Sequence, residues 1–384
     1  MRSRVLVLSA LTVLLMTACA TPRPSATVTG ASKAATTDEL VTSLDALDAR
    51  LASLREMSGV PALAVAVLAG PPGAARVIWS RAYGVLDART RIAATVDSPF
   101  MLASASKLAT GIVVMESVEA GRLTLDAPVW APFPLGCSQR VTLRGLATHT
   151  SGIIDTDAVE EGYAPADTAQ PRDAFLKEHL GPAGDACTGS VGTFAYSNTG
   201  IALAASAAEA ASGIPFETLS RNGLFNPLGM THTGWFLRDF PDTRVVASPH
   251  DENGQPLAHY GYPTWPDGQL RASVLDAAQI LALLMNDGRA GQKQLLSAAT
   301  VAEMLRPQVA TSKDGQGLFI QWKHGLAGHM GGDDGVRTFV VFNPETRVGA
   351  VVLVNQDGPR ATAAAVEVVR QTLRNPRLAA SLAH

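Results

Sequence analysis

Leucines recur at alternating steps of four and three between residues 40 and 54, which places them on one face of a helix. Thr36 and Glu39 have the spacing of a capping box, so the helix is predicted to begin there and to end near Ser58-Gly59. Because this apolar stripe stops at the glycine, it favours packing against a sheet over a long coiled coil.

Apolar runs rich in β-branched residues predict strands near both ends of the chain. Residues 60–68 and 76–83, separated by Pro71-Pro72-Gly73, predict a hairpin. Later elements are strands at residues 317–323, 338–342 and 348–354, and a closing helix at residues 362–373. Strands from the two ends must then pair with each other to form one sheet.

The middle of the chain predicts mainly helices. Residues 108–120 and 199–211 are apolar runs ended by glycine, and residues 274–285 form another. We therefore expect a two-lobed α/β domain over residues 37–376. Its α/β lobe would comprise about residues 37–103 and 265–376, its helical lobe about residues 104–264, with a site in the cleft between them.

The first residues have the pattern of a removable signal. Arg2 and Arg4 precede an apolar stretch too short for a permanent span, and Met16-Thr17-Ala18-Cys19 is a small-residue cleavage site. The site resembles the lipobox of bacterial lipoproteins, which implies a signal peptide at residues 1–18 and a lipid on Cys19. Residues 19–36 would be a flexible tether. An ordinary secretory signal is the alternative.

The resemblance to lipoproteins implies an address in the cell envelope. Ala20 follows the cysteine, and the aspartate associated with inner-membrane retention is absent, so an outer-membrane anchor facing the periplasm is expected. The membrane, reached through Cys19, is then a predicted partner.

Two further cysteines, Cys137 and Cys187, would lie in an oxidising compartment, where disulfides persist. A bridge between them would stabilise the fold by roughly 4 kcal/mol in the chain-entropy model. Two unpaired buried thiols remain the alternative, because the sequence does not give their separation.

Charge and motif content exclude several classes of function. The chain of 384 residues has a net charge of −3 and no basic run, which gives no support to nucleic-acid binding. It has no Gly-x-Ser-x-Gly elbow and no His-Glu-x-x-His motif, and its cysteine and histidine spacings suggest no metal site. No cofactor is expected.

The segment Ser104-Ala105-Ser106-Lys107 stands where an apolar helix is predicted to begin. Residues three apart share a helix face, so the spacing puts a hydroxyl beside an amine. A lysine kept neutral by desolvation can remove the hydroxyl proton, which predicts an acyl-transferring serine hydrolase. Read alone, the motif also fits Ser104 as a helix cap.

Two more motifs follow in the order that such a site requires. They are Tyr196-Ser197-Asn198, before a predicted helix, and Gly328-His329-Met330-Gly331-Gly332, leading into a predicted strand. With them the chain resembles the serine β-lactamase-like superfamily, which includes class C β-lactamases, D-alanyl-D-alanine carboxypeptidases, D-amino-acid amidases and esterases. Supporting stretches are residues 99–100, 121–126, 148–152, 226–230 and Asn355. The resemblance implies an antiparallel sheet flanked by helices with a mostly helical inserted lobe.

The resemblance also implies roles for the first two motifs. Ser104 would be the nucleophile that forms the acyl-enzyme, and Lys107 would share its proton. Tyr196 would relay a proton to the leaving group and help to activate water, while Asn198 would hold the Lys107 ammonium or a substrate amide. The simpler alternatives are a satisfied half-buried ring for Tyr196 and a helix cap for Asn198.

For the third motif, the resemblance implies that the backbone N–H groups of Ser104 and Gly332 bind the oxyanion. His329 and Gly331 would support the substrate beside them, although His329 could also simply begin a strand. His149, in a Thr-His-Thr-Ser-Gly turn, is assigned a structural role, because side-chain bonds to the backbone explain such a turn.

The third motif departs from the Lys-Thr-Gly of many penicillin-recognising enzymes. His329 is mostly neutral at pH 7, and Met330 removes a hydroxyl that could bind a carboxylate. Asp333 and Asp334 then add negative charge, which Arg337 could offset. We expect weak β-lactam turnover and a preference for a neutral or amine-bearing ester or amide.

Two hypotheses of different classes follow. The first is a serine hydrolase that cleaves an ester or amide (cell-wall peptide, D-amino-acid amide, β-lactam or small ester) through acyl-Ser104. The second is a non-catalytic, membrane-anchored relative that binds peptide or serves as a scaffold. The joint presence of Ser104, Lys107 and Tyr196 favours the enzyme, because a binder does not need all three.

Overall fold

The computed structural model describes residues 40–137, 140–167, 170–310, 314–375 and 377–378. The strands are β1 Ala62–Ala69, β2 Arg76–Gly84, β3 Phe100–Met101, β4 Ala164–Pro165, β5 Thr233–Gly234, β6 Tyr260–Gly261, β7 Arg271–Ala272, β8 Arg289–Ala290, β9 Lys293–Gln294, β10 Val309–Ala310, β11 Asp314–Gln316, β12 Gln321–Lys323, β13 Leu326–Asp333, β14 Val336–Asn343 and β15 Val348–Val354. The α-helices are α1 Leu44–Ser58, α2 Ser106–Glu119, α3 Leu143–Ala147, α4 Ala158–Glu161, α5 Arg172–Leu180, α6 Asn198–Ser212, α7 Phe216–Ser220, α8 Asn226–Leu228, α9 Val274–Met285, α10 Ala298–Leu305 and α11 Gly358–Thr372.

Strands from both ends of the chain meet in one antiparallel sheet, as the sequence predicted. In the described part of the chain its order is β10-β11-β12-β13-β14-β15-β1-β2. The pairing of β1 with β15, Leu63 opposite Val354, joins the two ends. The predicted hairpin is present as the β1–β2 pair. The antiparallel sheet flanked by helices is thus confirmed.

Helices cover both faces of this sheet because its central strands are apolar on both sides. In β1, Leu63, Val65 and Val67 pack with residues of α1 and α11, whereas Ala64 and Ala66 face the core that contains α2 and α9. A strand buried on both faces reads as a continuous apolar run rather than as an alternation. The sequence of β1 has this property over its whole length.

The leucine stripe forms α1, but the predicted start of that helix is wrong. Leu47, Leu51 and Leu54 are buried as expected. The observed N-cap is Ser43, whose side chain accepts a hydrogen bond from the N–H of Ala46, so the helix begins at Leu44. The predicted capping box at residues 36–39 lies outside the described residues, as do the signal sequence, the tether and Cys19.

The strand predicted at residues 317–323 is shorter than expected. Strand β12 begins only at Gln321, because Phe319 has a positive φ of 60° and turns the chain before it. The N–H of Phe319 donates to the carbonyl of Ala147, and its ring lies against Gly111 of α2. Residues 317–320 therefore fix α2 to the sheet instead of extending β12.

Short strands accompany the helices in the middle of the chain. In the described residues, β3, β7 and β5 form one small sheet, and β4 pairs with β6. A disulfide joins Cys137 to Cys187, with 5.0 Å between the Cα atoms. Within the described residues, no helix has the length and apolar character needed to cross a bilayer. The lobe boundaries given above stay a prediction.

Asn355 links β1 to the segments beside it. Its Oδ1 accepts from the N–H of Ala62 at 2.8 Å, and its Nδ2 donates to the carbonyls of Leu86 at 3.0 Å and Ser248 at 3.1 Å. All of these groups are buried, so each would be left without a partner if the amide were removed.

We expect Asn355→Ala to lower the free energy of unfolding by about 3 kcal/mol or more, because each buried unsatisfied group costs about 1–3 kcal/mol. Urea unfolding followed by circular dichroism measures the change. The exposed Asn253→Ala is the matched control and should change stability by less than about 0.5 kcal/mol. Equal effects of the two substitutions would contradict the assignment.

Candidate active site

Ser104 lies in a tight turn between β3 and α2. The turn is a 3-10 segment, Ala103–Ala105, and Ala103 has a positive φ of 47°, which is unusual for a residue with a side chain. The Ser104 side chain caps neither this segment nor α2, so the helix-cap alternative is excluded. Ser104 is partly exposed between the buried Ala103 and Ala105.

Hydrogen bonds to Leu102 hold this turn in place from two sides. The N–H of Leu102 donates to the carbonyl of Leu270 at 2.7 Å, and Thr338 Oγ1 of β14 donates to the carbonyl of Leu102 at 2.7 Å. The sheet and the chain before β7 therefore support the strained backbone from which Ser104 projects.

Lys107 is fully buried one helical turn after Ser104. Its Nζ lies 3.1 Å from Ser104 Oγ and 2.7 Å from Asn198 Oδ1. It also lies 3.0 Å from the carbonyl of Asp267 and 3.3 Å from Asp267 Oδ2. The predicted hydroxyl–amine pair is thus brought together, with a carboxylate beside it.

The expectation that desolvation keeps Lys107 neutral is wrong. Burial on its own lowers the pKa of Lys107, but Tyr196 and the Asp267 carboxylate outweigh burial and raise that pKa above its ordinary value. Lys107 is therefore an ammonium ion at neutral pH and donates to Ser104 Oγ rather than accepting from it.

Tyr196 approaches Ser104 from the other side. Its hydroxyl donates to Ser104 Oγ at 2.9 Å, and the centre of its ring is 4.9 Å from Lys107 Nζ. Ser104 Oγ is thus within hydrogen-bond reach of two groups that can exchange protons with it. The hydroxyl of Tyr196 is satisfied, as the simpler alternative expects, but its partner is the candidate nucleophile itself.

Asn198 is free to hold Lys107 because other residues cap α6. The N-cap is Ser197, whose hydroxyl accepts from the N–H of Gly200 at 3.0 Å. Asp155 accepts from the N–H groups of Asn198 at 2.8 Å and Thr199 at 2.9 Å. The side chain of Asn198 therefore caps nothing, and its Oδ1 points to Lys107.

His149 supports the loop that carries Tyr196. Its Nδ1 accepts from the N–H of Ser197 at 3.1 Å, and its ring lies 4.3 Å from the Tyr196 ring. Burial, followed by the charge of Lys107, lowers the pKa of His149 well below its usual range. A neutral imidazole with Nδ1 as acceptor orients Tyr196 without adding charge to the site.

The third motif lies inside β13, whereas the sequence placed it before a strand. His329 pairs with Val340 of β14 and Gly331 with Thr338, so both face the side of the sheet that carries Ser104. Burial and then Lys107 lower the pKa of His329 to about 3, so its ring is neutral. Its Nδ1 lies 2.7 Å from the carbonyl of Met330.

Gly331 allows β13 to approach the turn of Ser104. A Cβ at this position would clash with the carbonyl oxygen of Leu102 and with Thr338 Oγ1, and it would lie 3.2 Å from Ala103 Cβ. Gly332, the next residue, is exposed. The predicted oxyanion role of the N–H groups of Gly332 and Ser104 stays a prediction.

Met330 alternates to the opposite face of the sheet, where it packs with the core of α1 and α11. The absence of a hydroxyl at this position therefore carries no weight in the choice of substrate, contrary to the sequence interpretation. Arg337, opposite Gly332, is on the same alternate face.

An acidic and aromatic cluster follows the third motif. Tyr163 donates to Asp333 Oδ1 at 3.0 Å, and its ring stacks on Tyr260 at 5.4 Å and on Tyr262 at 4.8 Å. Burial raises the pKa of Asp333 to about 7. We call Tyr163, Tyr260, Tyr262 and Asp333 the tyrosine–aspartate cluster.

Asp267 was missed by the sequence interpretation. It ends a 3-10 segment, Trp265–Asp267, and the residue as a whole is only 4% exposed. The Pro266-Asp267-Gly268 sequence is typical of a surface turn, so only the neighbouring Trp265 hinted at burial. In the described residues, no group of three or more His, Cys, Asp or Glu could hold a metal ion.

Comparison with known proteins identifies the family. The Beta-lactamase family model matches residues 47–373. The chain belongs to the β-lactamase family. Penicillin-binding protein 4 of Amycolatopsis lactamdurans is 27% identical over 84% of this chain and 88% of its own length. Esterase EstB of Burkholderia gladioli is 30% identical over 58% of this chain and 60% of its own.

A solved structure supports the fold of this β-lactamase-family chain. The octameric penicillin-binding protein homologue from Pyrococcus abyssi is similar with a TM-score of 0.68 and 22% identity. The likeness covers 85% of this chain and 76% of that one. Family and relatives together place the protein among the serine hydrolases of the β-lactamase and penicillin-binding-protein family.

We expect Gly331→Ala to push β13 away from the Ser104 turn, because the added methyl group meets Leu102 and Thr338. If one oxyanion donor is displaced, kcat/KM for an ester falls by about 100- to 1,000-fold. Steady-state kinetics with a p-nitrophenyl ester measures the loss.

The control is Gly315→Ala on β11, which lies between β10 and β12 and where the nearest atom to an added Cβ is 3.3 Å away. It should leave kcat/KM within about threefold of the unsubstituted protein, a change of less than 1 kcal/mol. Full activity in a folded Gly331→Ala variant would show that this close approach is not needed.

Proposed function

We propose that this protein hydrolyses an ester or amide through a covalent acyl intermediate on Ser104. The observation that carries the proposal is that Lys107 Nζ and Tyr196 Oη both lie within hydrogen-bond distance of Ser104 Oγ, at 3.1 Å and 2.9 Å. A serine hydroxyl is a weak nucleophile on its own, and an adjacent group that accepts its proton activates it.

In acylation, Ser104 Oγ attacks the carbonyl carbon, and its proton passes to the amine of a Lys107 that has lost its own proton, directly or through Tyr196 Oη. The tetrahedral oxyanion receives hydrogen bonds from the N–H groups of Ser104 and Gly332. As the bond to the alkoxide or amine breaks, Lys107 and Tyr196 return the proton to the leaving group. A water molecule then attacks the acyl carbon. Its proton passes through the same groups to Ser104 Oγ as the Oγ–acyl bond breaks and the carboxylic acid leaves.

The substrate class follows from the charges that border the site. His329 is neutral, while Asp333 lies two residues beyond Gly331 on the same face of β13. Tyrosine faces and a carboxylate together favour a cation and disfavour a carboxylate. The proposed substrate is therefore a neutral or amine-bearing ester or amide, and β-lactams, which carry a carboxylate, would be turned over slowly.

The cellular address belongs to the same proposal. A disulfide between Cys137 and Cys187 fits an oxidising compartment such as the periplasm. Together with the lipobox-like sequence before Cys19, it supports an enzyme anchored in the cell envelope, with the outer membrane as the expected site.

A fluorescent fluorophosphonate tests the nucleophile and separates the enzyme from a non-catalytic binder. We expect labelling of the unsubstituted protein and of Ser106→Ala, and no labelling of Ser104→Ala. Ser106 lies in the same turn, and its buried hydroxyl accepts from the N–H of Leu270 at 3.1 Å, so its loss affects stability rather than chemistry. No labelling of any folded variant would favour the binder.

A series of p-nitrophenyl esters tests the substrate class. For acyl chains of equal length we expect the ammonium-ended ester to exceed the carboxylate-ended one in kcat/KM, with a cephalosporin slower than the uncharged ester. Asp333→Asn should reduce the ammonium preference about fivefold, the effect of roughly 1 kcal/mol for a partly exposed charge pair. The neighbouring, exposed Asp334→Asn is the control.

The ammonium preference should grow as the pH rises through about 7, because Asp333, with a pKa of about 7, then becomes ionised. A cephalosporin hydrolysed faster than the uncharged ester would remove the proposed substrate class.

A further inference from the structure

The carboxylate of Asp267 contacts Lys107, the lysine of the candidate active site. Its Oδ2 lies 3.3 Å from Lys107 Nζ, and its own carbonyl lies 3.0 Å from the same atom. Both side chains are almost fully buried, at 0% and 6% exposure for the ion pair. The contact is therefore shielded from water and from dissolved salt.

No other acid competes for this lysine in the described part of the chain, where Asp267 is its only ion-pair partner. Tyr196, in the loop before α6, and Asn198, the first residue of α6, both face Lys107. His149 and His329 lie near Lys107 as neutral rings. The charge of Lys107 is thus balanced by a single carboxylate.

Asp267 in turn depends on Lys107. Its Oδ1 makes no hydrogen bond of normal geometry within the described residues, although Thr264 is close enough to favour its ionised form. Asp155 and Asp333 are more distant carboxyl groups, and their negative charges do not compensate for the charge of Asp267. Burial raises the pKa of Asp267 and Lys107 opposes that rise, so the two charges are stable only as a pair.

We propose that Asp267 is a positioning residue that holds Lys107 as an ammonium ion against Ser104 and Asn198 and thereby sets the pH range in which Ser104 is acylated. This inference rests on the proposed function, because it concerns the pH dependence of acylation at the same nucleophile, Ser104. Asp267 does not touch the substrate carbonyl; it acts through Lys107.

The pH range follows from the proton balance of acylation. One proton leaves Ser104 Oγ as the Oγ–carbon bond forms, and the deprotonated amine of Lys107 receives it, directly or through Tyr196 Oη. With the carboxylate present, that amine becomes available only at alkaline pH. Without it, only Tyr196 still opposes the effect of burial on the pKa of Lys107, and Lys107 gives up its proton at lower pH.

The test is the pH dependence of the rate constant for fluorophosphonate labelling in the full protein and in Asp267→Asn. Asparagine keeps the shape of the side chain and removes its charge. We expect the midpoint of the rise in rate to move to lower pH by about 1 to 3 units, the usual effect of one close opposite charge. An unchanged midpoint, or a shift to higher pH, would overturn the inference.

Asp276→Asn is the matched control. Asp276 is also buried and hydrogen-bonded, to the N–H of His232 at 2.7 Å and to Thr233 Oγ1 at 2.8 Å, but it has no contact with Lys107. Its replacement should lower stability and leave the midpoint unchanged. Absence of labelling in the unsubstituted protein would instead contradict the proposed function, so the two failures are distinguishable.

A second measurement, on the unsubstituted protein, does not require Asp267→Asn to fold. With the six lysines of the chain labelled with nitrogen-15, the Nζ signal that disappears in Lys107→Ala belongs to Lys107. In the unsubstituted protein this signal should report an ammonium ion up to a pH above the usual lysine value of about 10.4. A signal that reports a neutral amine at neutral pH would overturn the inference.

Discussion

The buried ammonium group of Lys107 is the interaction on which the site depends. A charge without access to water must be met by acceptors, and Ser104, Asn198 and Asp267 supply them. These three residues come from three separate segments of the chain. Satisfying one buried charge therefore fixes the relative positions of the turn before α2, the start of α6 and the segment before β7.

The sheet provides the second constraint. Strand β13 can lie beside the Ser104 turn only because Gly331 has no side chain, and Thr338 of β14 ties the same turn to the sheet. The left-handed backbone of Ala103 is held between these contacts. A strained backbone conformation next to a nucleophile persists only where surrounding contacts prevent it from relaxing, and here the sheet provides those contacts.

The chemistry available at this site follows from how charge is distributed around it. Two histidines near Lys107 are neutral because they are buried beside a positive charge, so they shape the site without adding to its charge. Negative charge lies in Asp267, in contact with Lys107, and in the tyrosine–aspartate cluster beyond Gly331. The candidate site therefore combines a buried ion pair, Lys107 with Asp267, with a carboxylate two residues beyond Gly331.

The sequence alone determined the elements with strong periodicity and the local Ser104–Lys107 pair, because a spacing of three fixes neighbours on a helix. Tyr196 and the third motif were predicted through their order and family resemblance. The start of α1, the length of β12 and the burial of Asp267 were decided by tertiary structure. A turn sequence such as Pro266-Asp267-Gly268 has no local property that distinguishes a solvated carboxylate from a buried one, because burial depends on what packs against it.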